Sequence, residues 1–190
     1  MKAEKILIPI ISILIAALIT VAIPTEEEYY IYEDTVRLHI LPNSNETIDQ
    51  EMKLFIRDRL LEKYSDEMLL VSTKEDAEAL LGELLPSINE SVNGWLKEQN
   101  VPYRANVSFR EEWFETRYYD GFTLPAGYYS SMVVQLGNAE GSNWWCVMYP
   151  PMCLDIATEA TYTPAEYELI RRGNTSYRFK ILELIAREFR

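Results

Sequence analysis

The chain is short of the side chains from which most catalytic and metal centres are built. It has one histidine, His39, two cysteines, Cys146 and Cys153, and seven glycines in 190 residues. A thiol enzyme would need His39 to approach Cys146, and nothing local brings the two together. No Gly-x-Ser-x-Gly elbow is present, so the usual serine-hydrolase signature is missing. Gly137 and Gly141 are too far apart for a dinucleotide loop and do not open a helix. Zinc would want closer cysteines and more ligands. The expectation is no catalytic residue, no metal, no cofactor and no small-molecule substrate.

Basic residues are also scarce. Lys and Arg number 18 against 30 Asp and Glu, for a net charge of -12. Such a surface repels polyanions, which disfavours a nucleic-acid partner. Glu111, Glu112 and Glu115 cluster as a glycosidase pair could. With acids this common, a solvated face is the plainer reading.

Ile6 to Ile23 is apolar apart from Ser12 and Thr20, with Pro9 inside. Eighteen such residues can just span a hydrocarbon core. Lys2 and Lys5 precede the run and Glu26 to Glu28 follow it, which predicts the acidic body outside the membrane. Residues 1–24 therefore read as a signal peptide or a membrane anchor. Residues 25–34 form a linker, and 35–190 a single α+β domain.

Within that domain, Thr35 to Leu41 alternates as a strand, broken by Pro42-Asn43-Ser44-Asn45. Thr47 and Gln50 fit a capping box ahead of a helix over about 48–64. Ser72-Thr73-Lys74-Glu75 repeats the signal before an apolar stripe running to about 98, which Pro86 should kink or split. Val101 to Arg110 alternates strictly, and Trp113 to Tyr119 looks like the next strand. Asp120-Gly121 marks a hairpin, Phe122 to Leu124 a short strand, and Tyr128 to Leu136 another. Trp144 to Tyr149 has the pattern of a buried central strand, stopped by Pro150-Pro151. Helices beginning at Thr163-Pro164 and covering Ile181 to Phe189 close the chain. The expected fold is an antiparallel β-meander packed by helices on one face.

His39, mid-strand, reads most simply as an ordinary strand histidine. Trp144 and Trp145 must point to opposite faces, so one ring enters the core and the other can lie near the surface beside Asn143. The two cysteines permit a small disulfide loop in an exported chain, with two packed thiols as the alternative. Sequons at Asn45, Asn89, Asn106 and Asn174 have meaning only in a glycosylating host.

Taken in order, several short motifs form a series. Arg37-Leu38-His39-Ile40 is followed by Asn43-Ser44, Asp49-Gln50-x-x-Lys53 and Arg57-Asp58. Thr123-Leu124-Pro125-Ala126-Gly127-x-Tyr129 and Gly137 come later. Asn143-Trp144-Trp145-Cys146-Val147-x-x-Pro150-Pro151-x-Cys153 is the most specific. The series resembles the stage II sporulation protein R family of endospore-forming bacteria, over roughly residues 35 to 155.

The resemblance implies a protein exported from the forespore into the intermembrane space. There it would trigger a membrane-embedded aspartic protease that processes the precursor of sigma E. It implies a signalling ligand, not an enzyme, with Arg37, His39, Asn43, Asn143, Trp144 and Trp145 as partner-binding candidates, and in an exported chain the even, close cysteine pair is expected to form a Cys146–Cys153 disulfide. The alternative is an extracytoplasmic module that binds or cleaves cell-wall glycan. One departure is Pro42-Asn43-Ser44-Asn45, where the family usually ends this motif with Asp. That changes how the first helix of the body is capped.

Overall fold

The computed structural model describes residues 2–22, 31, 34–119 and 122–150. In chain order the elements are α1 (Lys2–Ala22), β1 (Val36–Leu41), α2 (Thr47–Leu69), α3 (Lys74–Glu98), β2 (Ala105–Phe114), β3 (Arg117–Tyr119), β4 (Phe122–Leu124), β5 (Gly127–Leu136) and β6 (Trp144–Tyr149). The described residues fall into two compact units. One holds residues 34–113 and 128–150, the other 2–22, 31, 114–119 and 122–127.

The larger unit is a four-stranded sheet in the order β2-β5-β1-β6. β1 runs parallel to β5, with Leu38 opposite Met132 and Ile40 opposite Val134. It runs antiparallel to β6, with Leu38 opposite Cys146 and Ile40 opposite Trp144. The sheet is therefore mixed, which corrects the expected antiparallel meander. The chain's first strand is inserted between two late ones, a long-range pairing that no turn signal announces. The same insertion puts β1 in the middle and β6 at one end of the order, so β6 is not the central strand its apolar run predicted.

Alternation makes one face of this sheet apolar. Val36, Leu38 and Ile40 are fully buried, in one core cluster with Met132, Val134, Leu136 and Val107. Against them pack α2 and α3. Met52, Ile56, Leu60, Tyr64 and Met68 recur every four residues along α2, and Ala77, Leu81, Ile88, Val92 and Leu96 fall four or seven apart along α3, both helical spacings. Each fully buried Leu or Ile contributes roughly 1.5–3 kcal/mol. Helices on one face is what the pattern predicted. α3 continues through Pro86 as one helix. α2 runs five residues past its expected end, and β2 starts at Ala105, where hydrogen bonding to α3 begins.

In the smaller unit β3 and β4 pair antiparallel, with Tyr119 opposite Phe122, as the hairpin signal predicted. The side chains described in α1, residues 7–17, are exposed, among them Ile8 and Ile13. Among the described residues no helix is long and apolar enough to cross a membrane. The helices expected after Thr163 and the proposed partner cysteine, Cys153, lie outside the described residues.

Candidate partner-binding surface

The loop between β1 and α2 is held by the loop between β5 and β6. Pro42 C=O accepts from Gly141 N–H at 3.1 Å and Asn43 C=O from Glu140 N–H at 3.3 Å. Asn43 Oδ1 accepts from Asn138 N–H at 2.9 Å. Asn45 Oδ1 takes both the N–H and the hydroxyl of Ser142, at 2.7 and 2.8 Å. The approach is so close that only glycine fits at two points. A Cβ on Gly141 would stand 2.1 Å from Ser44 O, and one on Gly137, at φ +55°, 2.2 Å from Asn43 Oδ1.

Asp49 sits beneath this clasp, 4% exposed. Its carboxylate accepts from Asn43 Nδ2 at 2.8 Å, Ser44 Oγ at 2.7 Å and Tyr103 Oη at 2.7 Å. Burial alone would raise its pKa, but the bonds from Ser44, Asn43 and Tyr103 outweigh it and hold the group below the ordinary carboxylate value. Burial and then Asp49 itself push the Tyr103 phenol upward. The buried Lys53 ammonium donates to Gln50 Oε1 at 2.7 Å and to Ser142 C=O at 2.8 Å. Burial, followed by repulsion from Arg57, lowers its pKa. Gln50 in turn donates to Ser44 C=O at 2.9 Å. Residues 42–53, Tyr103 and residues 138–142 thus meet in one place.

The clasp presents β6. Trp144 is half-buried on the helix face, with the Arg57 guanidinium 5.4 Å from its ring centroid. Asn143 immediately precedes it and is also half-buried. Trp145 points to the opposite face, where its ring stacks on His39 at 5.5 Å and 19°. His39 Nδ1 donates to Glu112 Oε2 at 2.8 Å, while Glu112 Oε1 accepts from Arg110 Nη2 at 2.6 Å. Burial raises the Glu112 pKa, and the His39 and Arg110 contacts overcome that and lower it. Arg37 is fully buried on this same face, its guanidinium 5.0 Å from the Tyr129 centroid. Cys146 is buried in β6.

The six candidates therefore do not form one patch. Trp144 and Asn143 lie at the rim of the clasp and Asn43 inside it. Arg37, His39 and Trp145 lie on the far face of the sheet. Asp49, Lys53, Arg57, Tyr103, Glu112 and Asn45 complete these arrangements but were not singled out as site residues. Asp49, Lys53 and Arg57 fall at helical spacing toward one side of α2, the signal that could have found them. Among the described residues no group of three or more His, Cys, Asp or Glu could hold a metal ion.

Fold and surface together define a small α+β domain whose half-exposed tryptophan is presented by two interlocked loops. The family described as Stage II sporulation protein R (spore_II_R) matches residues 32–159. The chain belongs to that family, and its role is in sporulation. It is 31% identical over 121 residues to the Stage II sporulation protein R of Bacillus subtilis (strain 168), a match covering 64% of this chain. That match spans about half the relative's length, 54%. No solved structure matches the chain.

Proposed function

We propose that this protein is an exported sporulation signal which triggers a membrane-embedded aspartic protease to process the precursor of sigma E. The observation that carries the reading is the family match, which extends across the whole clasp and β6. The surface supports it. Trp144 is only half-buried and Arg57 lies over its ring, the aromatic–arginine combination that anchors many protein interfaces. Asn143 adds an amide at the rim. In this reading the apolar N-terminal run carries the body across the membrane as a signal or anchor, the protein acts without chemistry of its own, and Cys146 pairs with Cys153 outside the cytoplasm.

Co-expression of the chain with the protease and precursor in a non-sporulating host tests it. Processing should appear only when all three are present, and Trp144→Ala should reduce it at least tenfold while leaving the fold intact. Unchanged precursor in the three-component strain would sink the proposal. Mass spectrometry of the exported protein without reductant should show no alkylatable thiol.

A further inference from the structure

The observation is an edge that is covered over only half its length. β2 stands at one end of the sheet order. Asn106 meets Gln135 and Trp113 meets Tyr128, so β2 and β5 run in opposite senses. The outward backbone groups at the start of β2 are satisfied by two asparagines one turn apart on α3. Asn93 Nδ2 donates to Ala105 C=O at 3.0 Å, and Asn93 Oδ1 accepts from Ala105 N–H at 3.0 Å. Asn89 Oδ1 accepts from Val107 N–H at 3.2 Å. These two side chains do what a neighbouring strand would do.

Groups of alternate residues in a strand point to the same side. Since Ala105 and Val107 point outward, so do Phe109, Glu111 and Trp113. Among the described residues nothing accepts or donates there. One turn before Asn89, α3 carries Leu85 and Pro86, which cannot continue the cover. Glu111 is exposed, and beside it Tyr128, 63% exposed, meets the half-buried Trp113 edge-on at 5.2 Å. Unblocked strand edges are templates for another strand.

We propose that the second half of β2, Phe109 to Trp113, is a docking edge that takes an extended segment of the protein partner by strand addition. This rests on reading the chain as a ligand for another protein. Charge and alternation define the segment. Arg110 and Glu112 neutralise each other on the far face, through a 2.6 Å ion pair. On the α3 side Glu111 is left between two aromatic residues. The complement is a strand with an apolar residue two positions either side of a basic one, its cation opposite Glu111 and its apolar side chains against Phe109 and the Trp113–Tyr128 step.

Residue-resolved amide exchange on the full chain tests this, with the peptide acetyl-Val-Thr-Lys-Thr-Val-amide as probe. The peptide should slow exchange at least tenfold at Phe109, Glu111 and Trp113 and leave Ser108 unchanged. Glu111→Pro removes an outward N–H, which an edge strand tolerates. It should melt within a few degrees of wild type and lose the protection. Glu111→Lys, which keeps the backbone intact, should weaken peptide binding by charge repulsion. Unaltered exchange at the three amides, or equal protection in both variants, overturns the docking edge. In the co-expression assay, full processing by folded Glu111→Pro would overturn it while leaving the signalling role standing. Processing absent with wild type would sink the signalling role instead, and the exchange result would still decide the edge.

Discussion

The two long helices of the larger unit begin in opposite ways. α3 starts with Thr73, whose hydroxyl accepts the Asp76 N–H at 3.1 Å, a cap made within four residues and in solvent. α2 starts at Glu46 with no side-chain cap of its own. Its first turn instead buries Asp49, which gathers a loop on one side and Tyr103 from 54 residues away. One helix start only begins a helix. The other also locks the loops that hold Trp144 in place, and long-range contacts replace the local cap.

The sharpest way to break this contrast is at Asp49. Asp49→Ala leaves the donors of Asn43, Ser44 and Tyr103 without their acceptor, and should cost roughly 3 kcal/mol in urea unfolding. Gly141→Ala drives a methyl group against the Ser44 backbone and should cost about 2 kcal/mol, with processing lost in proportion. Acid sharpens the comparison without mutation. The folded-state pKa of Asp49 lies below its unfolded value, so its stabilisation is complete above about pH 4 and fades as pH falls through the depressed value. The stability gap between wild type and Asp49→Asn should therefore narrow below pH 4 in urea titrations. At the other helix, Thr73→Ala should cost about 1 kcal/mol and leave processing unchanged. A larger loss at Thr73 than at Asp49 would overturn the contrast.

The same comparison shows what the sequence could reveal. The start of α3 was legible in Ser72-Thr73-Lys74-Glu75 because a cap's donor and acceptor lie three residues apart, although the cap is Thr73 on Asp76 N–H and not the Ser72–Glu75 pair of that box. The Thr47–Gln50 box obeys the same local rule, yet Thr47 is already the first helical residue and Gln50 turns to the Ser44 carbonyl. Gln50 is taken up by Ser44 C=O and Lys53, while Asn43, Asn45 and Asp49 around it are held by Asn138, Ser142 and Tyr103, which no window around Thr47 contains. Likewise, alternation in β1 predicted its buried Val36, Leu38 and Ile40, but periodicity says nothing of which strands lie alongside. The opposed faces of Trp144 and Trp145 followed from strand geometry alone. That Arg57 covers one ring and His39 the other required the tertiary fold.

The asparagine bonds also constrain how this protein should be produced. Asn45 and Asn89 each open an acceptor tripeptide, Asn45-Glu46-Thr47 and Asn89-Glu90-Ser91. They are also the side chains that hold Ser142 and Val107. A yeast secretory pathway would attach sugar to these amides before the chain folds, obstructing the β5–β6 loop and the cover of β2. Yeast-secreted material should be heavier by its glycans and unfold at lower urea than the same chain from a bacterium.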